Sequence, residues 1–156
     1  MKFEIEAIAY VHAERRQPED DFWGGTTATI TLADGVDAVA LDGIASFSHA
    51  EILYVFDRVT AEKIVRDARH PRNNPDWPKV GIFAQRGKNR PNRIGSSIVR
   101  VVRRDGRSLV VAELDAIDGT PVIDIKPVMR EFLPRGEVTQ PEWSRELMRE
   151  YWLAPR

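Results

Sequence analysis

Apolar residues recur along this chain in short alternating runs broken by turn residues, a two-residue period that predicts strands. The strand candidates are Phe3–Val11, Thr26–Leu32, Ile52–Val59, Lys79–Ala84 and Pro121–Ile125. A further pair flanks Asp105-Gly106 in SIVRVVRR-DG-RSLVVAEL, where β-branched residues on both sides of a turn dipeptide predict a hairpin. Asp-Gly recurs at 34–35, 42–43 and 118–119, each a place where both residues tolerate positive φ. FSHAEILYVFDRV reads as a turn followed by an apolar strand ending at Asp57-Arg58. Helical spacing is rarer. Trp143, Leu147 and Tyr151 lie four residues apart and predict a helix over Glu142–Trp152, and a shorter one is expected over Ala61–Ala68. RHPRNNPDWP, residues 69–78, is a loop. The pattern predicts a mainly β fold: one domain, an antiparallel sheet closed into a barrel, with one or two short helices, one of them C-terminal.

Composition narrows the chemistry. In 156 residues, 42% are hydrophobic and 30% charged, as in a globular domain. No cysteine is present, which excludes disulfides, zinc-thiolate sites and cysteine nucleophiles. Neither GxGxxG nor GxxxxGK[ST] occurs, so the usual phosphate-cradling loops are missing. His12, His49 and His70 have no metal-ligand spacing, and His49 is read as a structural hydrogen-bonder. No metal is expected. No window approaches the ~20 apolar residues of a membrane span, and the expected location is cytoplasmic.

The net charge of −1 hides a local asymmetry. GIFAQRGKNRPNRIGSS, residues 81–97, runs from a strand end into Arg86, Lys88, Arg90 and Arg93, and Arg100, Arg103 and Arg104 follow before the next acid, Asp105. Guanidinium groups set among Gly, Asn and Pro suit an anion held by paired hydrogen bonds, although a charge run can equally be a solvated face. ELDAIDGTPVIDIKP, residues 113–127, gathers Asp115, Asp118 and Asp124 about a turn, where carboxylates can take ribose hydroxyls, an amine or a sulfonium charge. Asp118-Gly119 is also an ordinary turn pair. Arg15-Arg16-Gln17-Pro18 precedes the acidic-aromatic loop EDDFWGG, and Phe22, Trp23 and Trp77 could stack on a base or cap the core.

In this order, these segments resemble the TsaA-like family. Its marks are G-[IV]-F-A-x-R-x-x-x-R-P-N-x-I-G, present from Gly81 to Gly95, and L-D-x-x-D-G-T-P-V-x-D-I-K-P, present from Leu114 to Pro127. A strand ending in F-S-H…F lies upstream, from Phe47 to Phe56. The similarity covers most of residues 3–133, which implies a barrel core there and a helical extension over about 141–153. It implies a barrel, usually homodimeric, that binds S-adenosylmethionine outside the Rossmann scheme. It also implies methylation of N6 of threonylcarbamoyl-adenosine in the tRNA anticodon loop. Carried across by motif, cofactor contacts fall at Arg16, Gln17, Pro18, Asp57, Arg58, Arg86, Ser96, Ala112, Glu113, Leu114 and Asp115. The chain departs from the family at Asp57-Arg58, where His-Gln is common, and at Arg93, where a proline usually follows R-P-N. The further C-terminal domain of larger members is not part of this sequence.

On this reading Arg86 meets the methionine carboxylate and Asp115 the ribose hydroxyls or the amine. Lys88, Arg90 and Arg93 meet RNA phosphates, and Asp118 is the candidate proton acceptor. Two alternatives stay open: a methyltransferase acting on a small metabolite, and a non-catalytic RNA-binding barrel.

Overall fold

A computed structural model describes all 156 residues. Eight strands form: β1 (Ala9–Ala13), β2 (Thr27–Leu32), β3 (His49–Val55), β4 (Ala68–Arg69), β5 (Val80–Gly81), β6 (Ile94–Asp105), β7 (Ser108–Ala112) and β8 (Pro121–Pro127). Six of them close into an antiparallel barrel in the order β1-β2-β7-β6-β3-β8, while β4 and β5 pair separately. Closure leaves no barrel edge unpaired, the usual hazard of an open sheet. Alternation sets the interior: Ala50, Ile52 and Tyr54 of β3 and Gly95, Ser97 and Val99 of β6 point inward. They meet Val11, Ile30, Leu109, Val111 and Val122 in one core.

The hairpin about Asp105-Gly106 forms as the alternation predicts, with Asp105 opposite Ser108. The other Asp-Gly pairs are turns without hairpins. Asp42-Gly43, for example, joins two short 3₁₀ turns, with Gly43 at φ 85°. Four expectations need correction. The first strand begins at Ala9, leaving Phe3 and Ile5 exposed, because the neighbouring strands offer ladder partners only from Ala9 onward. Lys79–Ala84 is strand only at Val80–Gly81 and then a 3₁₀ turn, Ile82–Ala84. The Ala61–Ala68 segment holds one 3₁₀ turn, Ala61–Lys63, with β-branched Ile64 and Val65 beyond it. The C-terminal helix, α1, covers Glu142–Leu147 and then loosens into turns through Trp152. No helix is long and apolar enough to cross a membrane.

The topology does one thing for function. The connections β1–β2 (14–26), β3–β6 (56–93) and β7–β8 (113–120) all leave from the same end of the barrel, because β1, β3 and β7 run toward it. Every segment singled out in the sequence as a cofactor contact therefore reaches one rim.

Candidate functional site

On that rim, in the β7–β8 connection, lies the Asp115 carboxylate. Its Oδ1 accepts from the Ser97 hydroxyl and from the Tyr54 hydroxyl at 3.3 Å, and its Oδ2 accepts from the Tyr151 hydroxyl. Tyr54 reaches it from inside the barrel, where the residue is buried and its hydroxyl also lies 3.2 Å from Ser97 Oγ. Two local features permit this. Gly95 has no side chain to collide with the Tyr54 ring, and a bulge between β3 and β8 falls at Leu53/Tyr54, re-aiming the strand where the tyrosine sits. Burial, then the Asp115 charge, pushes both the Tyr54 and the Tyr151 phenol above the ordinary tyrosine range. Both stay protonated and act as donors.

Arg86 flanks this cluster. Its Nη2 donates to the Ser96 carbonyl at 2.6 Å, and its charge is felt at both phenols. The rest of its guanidinium is exposed. The Arg16 and Arg58 segments also come together: Arg58 Nη1 donates to the Arg16 carbonyl at 2.7 Å. Arg16 Nε faces Asp118 Oδ2 at 4.0 Å. Asp118 Oδ1 accepts from the Ala13 amide at 3.1 Å, and the Asp118 amide donates to the Arg15 carbonyl. Asp118 is thus a turn residue with one oxygen engaged by backbone and the other facing only a guanidinium. Gln17, Pro18 and Asp57 are exposed beside this chain of contacts.

The remaining residues behave differently from one another. Ala112 and Leu114 bury their side chains in the core, so only their backbone is available to a ligand. Glu113 sits at φ 64° and its carboxylate accepts from the Gly25 amide, which ties the β7–β8 turn to the β1–β2 loop. Ser96 points outward, its hydroxyl donating to Glu51. Arg90 and Arg93, both half-buried, each brace the loop through Nη1, donating at 2.7 Å to the carbonyls of Gln85 and Val59 and leaving their other donors for a further partner. Asn92 and Arg93 both take positive φ after Pro91, so these guanidinium bonds pin a strained turn. Lys88 remains available, its nearest carboxylate being Asp20 at 3.9 Å. Arg104 is likewise structural, bridging Asp42, the Ala38 carbonyl and the Gly106 carbonyl. His70 bonds the Trp77 carbonyl and His49 the Ser48 hydroxyl, as structural histidines do. No group of three or more histidine or acidic side chains is close enough to hold a metal.

Sequence reading missed Tyr54, Ser97 and Tyr151. The signal for the first two was present: in strands whose inward positions are apolar, a tyrosine and a serine on the inward face need a polar partner. Tyr151 carried no such signal, since helical spacing assigned it to an apolar stripe.

Fold and rim define a small closed β-barrel that carries, at one end, a hydroxyl-bound carboxylate and an exposed guanidinium. Within that class the chain belongs to the family of the tRNA-methyltransferase O N-terminal domain, whose model matches residues 12–132. A Pyrococcus abyssi protein named as a probable S-adenosyl-L-methionine-binding protein is 33% identical over 140 residues, covering 84% of this chain and 71% of that one. The human tRNA (adenine(37)-N6)-methyltransferase is 34% identical over 102 residues, 65% of this chain and 23% of its own. The crystal structure of TrmO from Pseudomonas aeruginosa matches with a TM-score of 0.70 at 25% identity, covering 89% of this chain and 62% of that chain. The chain thus spans less than two thirds of the human enzyme and of TrmO.

Proposed function

We propose that this protein is an S-adenosylmethionine-dependent methyltransferase acting on tRNA, at N6 of adenosine 37 in its threonylcarbamoyl-modified form. The observation that carries the reading is that Arg86 and Asp115, each at its place in a family motif, flank the same pair of phenols, Tyr54 and Tyr151, at one rim. The family's membership and the names of the human and archaeal relatives point the same way.

The groups present fit the cofactor. Arg86 uses one donor on Ser96 and has others free for a carboxylate, in the fork geometry that carboxylates prefer. Asp115 has about four lone-pair sites, of which Ser97, Tyr54 and Tyr151 use three, so an acceptor site remains for a ribose hydroxyl or an ammonium. When bound, S-adenosylmethionine supplies a methyl carbon activated by its sulfonium sulfur for in-line displacement. The chain's own groups align that donor, exclude water and take the proton released from the nitrogen. The two phenols hold their protons too tightly to be that acceptor. Asp118 is assigned the role, through the Oδ2 that faces only Arg16.

Lys88, Arg90 and Arg93 are assigned to RNA phosphate, from the loop that leads into β6 at the same rim. Arg90 and Arg93 also brace that loop, each through one Nη1. Two copies are proposed to pair in the cytoplasm, a reading supported by exposed apolar side chains on one side of the barrel, Ile98, Met129, Phe132 and Leu133. Calorimetric titration with S-adenosylmethionine tests the core of the proposal. Saturable binding that Arg86→Ala weakens by about tenfold or more is expected. No binding by the wild type counts against it.

A further inference from the structure

Beyond the family match, which ends at residue 132, the chain continues through Arg135–Gln140 and returns to the rim. Its arrival there is built into the β1–β2 loop. The amides of Phe22, Trp23 and Gly24 donate in succession to the carbonyls of Glu150, Tyr151 and Leu153, at 3.2, 2.8 and 3.0 Å. Gly24 leaves the room this needs: a Cβ there would overlap the Trp152 carbonyl. Phe22 takes φ 65°, a conformation that costs a bulky residue energy and persists only where surroundings enforce it. Trp77 from the β3–β6 connection donates its indole N–H to Glu146 at 2.8 Å, holding the far end of the segment. Arg15 caps the same loop, donating to the Asp21 and Phe22 carbonyls while stacking on Trp23.

What this docking delivers is a single polar group. The Tyr151 hydroxyl is the only donor to Asp115 Oδ2, whereas Ser97 and Tyr54 both serve Oδ1 from the barrel. A carboxylate held on one oxygen can still turn about its last torsion, and a donor on each oxygen fixes its plane. We infer that Tyr151 is a positioning residue of the methyltransferase site, and that the segment Glu142–Leu153 is the strap that presents it to Asp115. The role rests on the proposed cofactor reading, since its object is the carboxylate assigned to the ribose or the amine. It adds to that reading a C-terminal element outside the matched family region. The raised phenol suits the role, because the hydroxyl remains a donor across the range in which an enzyme works.

The test compares wild type, Tyr151→Phe, Asp115→Ala and the double variant by calorimetric titration with S-adenosylmethionine. Amide exchange at Phe22–Gly24 is followed in each. The ring of phenylalanine keeps the packing, so the three amides should stay protected while affinity falls by about tenfold. In the Asp115→Ala background the same change should cost nothing further, because its effect runs through the carboxylate. Gly24→Ala, which unseats the strap without touching Asp115, should lower affinity in the same direction and lose the protection. Unchanged or improved affinity in Tyr151→Phe, or an equal loss with and without Asp115, would overturn the assignment. Wild-type protein that does not bind S-adenosylmethionine at all removes the cofactor reading itself, and this role with it.

Discussion

Tyr54 and Gly95 stand opposite each other on β3 and β6, and the tyrosine ring fills the space that a side chain at Gly95 would need. A Cβ at Gly95 would lie 2.5 Å from Tyr54 Cε2 and 2.9 Å from Phe56 Cζ. The glycine of the G-[IV]-F-A…I-G motif is therefore a packing requirement of the residue that holds Asp115. Gly95→Ala is expected to destabilise the fold by about 1–3 kcal/mol, the usual cost of overpacking. Urea denaturation gives the stability. Tyr54→Phe made alone keeps the ring and removes only the hydroxyl, so it should leave the packing intact.

The basic residues of the loop separate by what they do for stability. Arg90→Ala and Arg93→Ala each strip a donor from a main-chain carbonyl, at Gln85 and Val59. Each is expected to cost about 1–2 kcal/mol of stability, read from thermal or urea melts. Lys88→Ala should leave stability within about 0.5 kcal/mol, since its ion pair with Asp20 is long and exposed. Its effect should instead appear in tRNA binding, where losing one phosphate contact lowers the slope of log K against log salt by about 1.

Alkaline pH should reveal the two buried phenols. Both are raised above the ordinary value of 10.0, first by burial and then by the Asp115 charge. Above pH ~10 the unfolded chain releases protons that the folded one keeps. The stability these groups give is thus complete below the unfolded value and falls as pH rises, by up to about 1.4 kcal/mol per pH unit for each. Urea midpoints measured between about pH 8 and pH 11 should fall more steeply for wild type than for Tyr151→Phe, which retains only Tyr54 of the pair.

Asp118 can be tested apart from its turn. Asp118→Asn keeps an oxygen for the Ala13 amide and Asp118→Ala does not, so only the latter should lose about 1 kcal/mol or more of stability. If Oδ2 accepts the proton, Asp118→Asn should lower kcat by about 10²-fold or more with KM for S-adenosylmethionine little changed. Full turnover in that variant would reassign the role.

How much of this was legible in the sequence follows from what each residue depends on. The β6–β7 hairpin was legible because Asp105-Gly106 and its β-branched flanks act locally. The motifs singled out Arg86 and Asp115 as proposed cofactor contacts, and barrel closure carries both segments to one rim. The carbonyl bonds of Arg90 and Arg93 were not legible, since a guanidinium facing water and one bound to the Val59 carbonyl read alike in sequence. The strand expected at Phe3–Val11 keeps its alternation back to Phe3, but the part before Ala9 has no neighbouring strand to pair with, and pairing is decided by the rest of the barrel. Tyr151 was the least accessible. Its contact with Asp115 spans 36 positions and depends on a glycine, Gly24, whose need for bareness appears only once the strap lies across it.

The most direct measurement of the central claim is methyl transfer from radiolabelled S-adenosylmethionine to bulk tRNA, followed by nucleoside analysis of the product. The account predicts label on N6 of the threonylcarbamoyl-modified adenosine 37, abolished by Arg86→Ala. Labelled cofactor bound but no methyl group transferred to tRNA would contradict it.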